Sequence, residues 1–404
     1  MRATHPLRLP TSCTLRRLSA LTVVTLALTI SSCSLREGTQ SLAITSLTAQ
    51  EADAVKPQDS ISDMDNQPLS TASGVVTMST SYVAGGIGST AKEMATTVVS
   101  RERSTDKFQW AVSIKPAVAD QERTEYTNSA QSAMNNAMGR SSTGSVVVSP
   151  DGRHLSLILL PAEQQAGESA ADLRTHIVVL EAKTGKTVRD ATVSGIVLGQ
   201  ALTNSSLVVE TAQNYFPAGS GKGILTTFSL TDASAQPFSF PTDKWLVGAT
   251  RENLVLAPNR LPDDCVYGCS LTTVSLVSTE GTTTKSVSGV TAVHPGGWIH
   301  RFADPKAASA LHLRSKAATE EERKAISSSW ETLEQQLVNP SIMKTIDITG
   351  KDTFERGVPT GPGLLVKQEV PTGNGSTESK PAFWLSAADD GHPHTENLEQ
   401  FTDD

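Results

Sequence analysis

The chain has few aromatic residues and few cysteines, and each shortage narrows what it can be. Phe, Trp and Tyr make up 4% of its 404 residues, and only four cysteines occur. Four cysteines exclude a small scaffold stapled together by disulfides. Nor is there a basic surplus, with 34 Lys and Arg against 42 Asp and Glu, so no electrostatic footprint for nucleic acid or anionic lipid is present. Long apolar runs are missing as well: residues 18–30 form a charge-free stretch of 13, where a membrane-spanning helix needs about 20. No His and Cys spacing suits a zinc site, and no cofactor motif stands in its proper context, so no cofactor is assigned.

What is present begins with that short apolar stretch. Arg2, Arg8, Arg16 and Arg17 precede it with no acid among them, and Ile30-Ser31-Ser32-Cys33 follows it. A basic start, a short apolar core and small residues before a cleavage point are the parts of a secretory signal. The last four residues resemble the lipobox of bacterial lipoproteins, in which the Cys receives a diacylglyceryl group and becomes the mature N-terminus. That resemblance implies a signal peptide over 1–32, lipidation of Cys33 and attachment to the cell membrane at its extracytoplasmic face. Cleavage after Ser32 by an ordinary signal peptidase is the alternative.

With the leader removed, 30 basic residues face 42 acidic ones. Cys13 leaves with the leader and Cys33 would carry lipid, which leaves Cys265 and Cys269 around the turn Cys265-Val266-Tyr267-Gly268-Cys269. An even pair in an oxidising compartment is expected as a disulfide. A metal or redox role is the alternative, with the nearest His at His294.

The middle of the chain repeats. Strand-like segments start at His176, Gly223 and Ser270, 47 residues apart each time. Each runs through a polar turn, such as Lys183-Thr184-Gly185, into a second alternating strand, and each has another strand pair upstream. A further copy begins near Thr291, and weaker copies flank these at 74–83, 108–115, 363–370 and 382–386. Four strands in 40 to 50 residues is the period of a propeller blade, which buries its faces only against its neighbours.

Ser149-Pro150-Asp151-Gly152, followed by Lys183-Thr184-Gly185-Lys186, resembles the blades of YVTN, quinoprotein-like and WD40-like propellers. In those families the first turn joins the inner strands and the second the outer ones. The resemblance implies an all-β propeller of six or seven four-stranded blades over 70–388, closed by an N-terminal strand at 42–47 that completes the last blade. Tandem β-sandwiches are the alternative, and they account less well for the fixed spacing.

Other segments read as connections. Residues 33–69 are expected as a flexible tether, 305–340 as a helical insertion, and 389–404 as an acidic disordered tail. The helix rests on Ile326, Trp330, Leu333 and Leu337, spaced i, i+4, i+7 and i+11. Asp389, Asp390, His392 and His394 have metal-ligand side chains but read as part of the tail. Ser89-Thr90-Ala91-Lys92, Tyr126-Thr127-Asn128 and Lys183-Thr184-Gly185 follow the order of penicillin-binding signatures, yet the last is a repeat turn. No convergent catalytic set is legible. The expectation is a membrane-anchored binding or scaffolding module with an envelope protein as partner, and not an enzyme. The alternative is a propeller enzyme, a quinoprotein-like dehydrogenase or a hydrolase.

Overall fold

The computed structural model describes residues 41–55, 68–83, 93–119, 143–161, 169–213, 223–258, 271–317, 319–373 and 376–401.

Among the described residues six antiparallel blades follow one another. Blade 1 holds Leu69–Ser70, Val75–Val83, Glu93–Arg101 and Phe108–Lys115, and blade 2 holds Val146–Val148, His154–Ile158, Arg174–Glu181 and Thr187–Ser194. Blade 3 is Ile196–Leu202, Ser206–Ala212, Gly223–Ser229 and Phe238–Thr242. Blade 4 takes Trp245–Ala249, Leu254–Ala257, Thr272–Val277 and the start of Thr283–His294. The end of that long strand opens blade 5, followed by Trp298–Phe302, Gln335–Asn339 and Lys344–Asp347. Thr283 to Val287 pair backwards and Ala292 to His294 forwards, so one continuous strand joins two blades into a seven-stranded sheet. Blade 6 has Lys351–Val358, Gly361–Pro371 and Thr377–Ser386.

Strands in this arrangement have both faces covered, which gives near-continuous apolar runs in place of strict alternation. Ser206–Ala212 is buried at all seven positions and Leu254–Ala257 at all four. The core is therefore a series of layers between blades. Val76, Val98 and Ile114 of blade 1 meet Leu155, Leu157 and Val178 of blade 2. Ile177 and Val179 meet Leu207 and Val209, and Trp298 and Leu337 of blade 5 meet Leu364 and Val366 of blade 6. Each such side chain contributes about 1.5–3 kcal/mol on leaving water.

Three connections differ from the sequence expectations. Ala43–Leu47 does not complete the last blade; it pairs with Phe108–Lys115 as a fifth, outer strand of blade 1. A helix, Ala49–Ala54, follows it under a Thr48 capping box, so part of the expected tether is folded onto blade 1. The insertion in blade 5 is a pair of helices, Pro305–Ala317 and Glu320–Glu331, and ends before Leu333. Ile326 and Trp330 pack on Phe302, Ala308 and Leu311 as the helical spacing requires, but Leu337 lies in the strand Gln335–Asn339. A spacing of four is a multiple of the strand period as well as one helical turn, so it fits both patterns.

Residues 389–401 are the third difference. They pack onto blade 6, with His394 bridging to Trp384 and Phe401 buried beside Val358, Leu365 and Trp384. An acidic composition suited a solvated tail, but Leu398 and Phe401 supply the apolar contacts that hold it down.

Candidate functional site

The turns between the first and second strands of the blades gather at one face and interlock. Ala72 N donates to Gly152 O at 2.9 Å, linking blades 1 and 2. Asp151 N donates to Asn204 Oδ1 at 3.2 Å, linking blades 2 and 3, and Asn204 N to Arg251 O at 2.9 Å, linking 3 and 4. The Arg251 guanidinium donates to the carbonyls of Ala387 and Asp389 beyond blade 6. Ala387 N donates to Pro362 O at 2.9 Å, and Ser70 Oγ to Gly361 O at 3.0 Å returns the circuit to blade 1.

Blade 5 enters the same ring sterically. Gly296 and Gly297 both have φ of 78°, and a Cβ on them would stand 2.8 Å from Ala387 Cβ and 2.7 Å from Thr250 Cα. Gly152 is as tightly placed, with Ala72 N at 2.6 Å and Pro362 Cδ at 3.0 Å from a Cβ built there. Blade 2 thus touches blade 6 across blade 1, so the turns crowd the axis at this face.

The opposite face carries the long connections. The strand ends that border 84–92, 120–142, 162–168, 214–222 and 259–270 all lie there, as does the helical pair between Phe302 and Gln335. Pro305 sits against Gly289, where blade 4 passes into blade 5, and this seats the helices on that edge. Adjacent strands are antiparallel, so second-to-third strand loops must emerge opposite the first-to-second turns.

Between the faces, blades 5 and 6 share a polar cluster. His294 Nδ1 and Glu355 Oε1 are 2.9 Å apart, and His300 Nε2 is 2.9 Å from Gln335 Oε1. The two imidazoles stack with centroids 6.2 Å apart. His300 is 1% exposed, and burial, reinforced by neighbouring His294 and opposed by the Gln335 bond, pushes its pKa down to about 4. It is neutral at pH 7. His294 Nε2 and Gln335 Nε2 are buried without a protein partner. The set is a polar seam between two blades and holds no nucleophile.

Of the residues assigned from sequence, Cys33, Cys265 and Cys269 lie outside the described residues, as do Ser89, Lys92, Tyr126 and Asn128. Lys183-Thr184-Gly185 is the turn between the two outer strands of blade 2, with the Trp110 ring against Gly185 and Trp110 Nε1 donating to Ala182 O at 2.9 Å. Ser149-Pro150-Asp151-Gly152 joins the two inner strands, with Asp151 Oδ1 accepting from Ser149 Oγ at 2.6 Å and Arg153 N at 3.1 Å. Asp389 and His394 do meet, Nε2 to Oδ2 at 2.7 Å, but among the described residues no group of three or more such side chains is placed so that it could hold a metal ion. Asn204, Arg251 and the Gly296-Gly297 pair were missed. Their signal was present, since they occupy the turn between the first two strands of successive repeats.

No protein-family model matches the chain, and no curated protein matches it. Solved structures do, and the ones named here are propeller proteins. The β-propeller domain of the Trilobed protease from Pyrococcus furiosus is 10% identical, with a TM-score of 0.37 over 78% of this chain and 82% of that one. TolB from Acinetobacter baumannii is 9% identical, with a TM-score of 0.29 over 79% of each chain. Acylaminoacyl peptidase from Pyrococcus horikoshii is 10% identical, with a TM-score of 0.34 over 78% of this chain; the match spans 50% of the peptidase. The chain is an all-β propeller. Because peptidases stand among these structures, the expectation that the chain is not an enzyme is withdrawn, for the fold is common to binding proteins and enzymes alike.

Proposed function

We propose that the chain is a lipid-anchored extracytoplasmic propeller that binds an envelope protein through its loop-bearing face. The observation that carries this is the asymmetry of the two faces. One is occupied by turns that bond to one another, while the other carries the strand ends bordering 84–92, 120–142, 162–168, 214–222 and 259–270, together with the helical pair. Loops on a rigid frame are where recognition is usually placed. The leader supports the location: a single acyl chain binds a membrane only marginally, and the two or more chains of a lipidated N-terminal Cys anchor it stably.

Metabolic labelling with a fatty acid, in wild type and Cys33→Ala, tests the anchor. Label in the wild type and none in the variant is expected, with the variant leaving the membrane fraction. An unlabelled wild type reduces the leader to ordinary secretion. A pull-down from membranes with the anchored form, under conditions that recover a known complex, tests the binding role. Recovery of nothing above background would count against it.

A further inference from the structure

The geometry points to a proton-operated latch in which the imidazolium of His394 holds residues 389–401 on blade 6. His394 Nε2 lies 2.7 Å from Asp389 Oδ2, and His394 Nδ1 lies 2.7 Å from Glu396 Oε1. A neutral imidazole has one N–H, whereas two carboxylates at this distance call for two donors. With both carboxylates ionised, the arrangement is satisfied only by the charged ring. That ring also lies flat on Trp384, centroids 3.9 Å apart and planes 11° apart, where a cation is favoured by the aromatic face.

The segment has few other fastenings. His394 and Trp384 exchange two backbone hydrogen bonds of 2.9 Å, Trp384 Nε1 donates to Glu396 O at 2.9 Å, and Arg251 holds the Asp389 carbonyl from blade 4. Leu398 and Phe401 cover Val358, Leu365 and Trp384. The charged groups around the ring are Asp389 and Glu396, with His392 edge-on at 5.6 Å and the Arg251 guanidinium behind Asp389. Desolvation opposes protonation of His394, yet the bonds and charges of Asp389 and Glu396 outweigh it and raise its pKa above 6.5.

Loss of the proton leaves a ring nitrogen lone pair facing a carboxylate and removes the cation from Trp384. Since the pKa is raised by folding, the stabilisation is complete below 6.5 and is lost as pH rises through the folded value. The latch is therefore closed below pH 6.5 as long as Asp389 and Glu396 are ionised, and opens as pH rises through the raised pKa of His394, uncovering the apolar patch of Val358, Leu365 and Trp384.

Hydrogen exchange of the full chain at pH 6 and pH 9, corrected for intrinsic rates, reads the latch directly. Protection of 389–401 is expected to fall measurably between pH 6 and pH 9, the whole loss being set by the rise of the His394 pKa on folding. Protection of Gly361–Pro371 is expected to stay constant, and His392→Gln to behave as wild type. In His394→Gln the pH dependence is expected to vanish. Equal protection at both pH values in the wild type, or an undiminished fall in His394→Gln, overturns the proposal. Should His394→Gln not fold, NMR titration of the wild-type His394 ring decides: a midpoint above 6.5 that drops in Asp389→Asn/Glu396→Gln supports it, and a midpoint below 6.5 overturns it.

Discussion

Gly296 and Gly297 show how a single position holds the turn ring together. Both have positive φ and both face backbone or β-carbon atoms closer than 3 Å to any added Cβ. Gly297→Ala therefore combines a disfavoured backbone with a clash on Thr250, and is expected to destabilise the protein by about 2 kcal/mol or more. Chemical denaturation checks this, and an unchanged midpoint would mean the turn ring yields freely. His300 makes a second residue-level prediction. Its pKa of about 4 lies below the ordinary value, so the unfolded chain binds the proton first as pH falls. Stability is lost between pH 6.5 and 4, up to about 3 kcal/mol for a shift of this size. Melting temperatures at pH 7 and 4.5 in wild type and His300→Gln should show a smaller acid loss in the variant. Such residues were hard to read in sequence, because a buried neutral His and a surface His are the same letter.

At the scale of elements, the repeat was legible wherever strands were sandwiched between blades. Ile177 to Leu180 and Leu254 to Ala257 are apolar because both faces are covered, and the Pro-Asp-Gly and Thr-Gly turns sit where their backbone needs place them. The helical insertion was legible in kind but not in extent. Thr319 starts its second helix with a capping box, Glu322 accepting from Thr319 N at 2.8 Å. Trp330 ends the buried stripe, its ring 5.3 Å from that of Phe302. Trp330→Ala is expected to cost about 3–5 kcal/mol at the helical pair, lowering helical circular dichroism while the strand signal persists. If both signals fall together, the helices are part of the blade core and not an addition to it. The strand Ala43–Leu47 could be found from its alternation, but its partner could not, since any exposed edge offers the same backbone groups.

Across the whole propeller, the junction between blades 6 and 1 is unlike the other five. Blade 6 turns Leu365 and Trp384 toward its own C-terminal segment, while its inner strands meet blade 1 at the short strand Leu69–Ser70, with Gly357 against Ser70. There Arg103 donates to Thr71 O at 2.8 Å and Gly361 O at 3.3 Å, beside the Ser70 bond. Burial pushes its guanidinium pKa down, and its bonds are to backbone carbonyls. Arg103→Ala is expected to raise hydrogen exchange at Leu69–Ser70 and Gly361–Pro371 well before it affects blades 3 and 4; uniform exchange across all blades would contradict this. Neither the seam nor the division into a turn face and a loop face was visible in the linear repeat. Both arise from which blades come to lie beside each other.

The central claim is that this division is functional, the loop-bearing face meeting a partner and the turn face not. A photo-crosslinking residue placed in turn at Leu313, exposed on the helical pair, and at Lys183 and Ala233, exposed in turns of the other face, tests it in intact cells. The account predicts a discrete crosslinked protein from position 313 and none from 183 or 233. The same protein captured from the turn face, with none from 313, would contradict it.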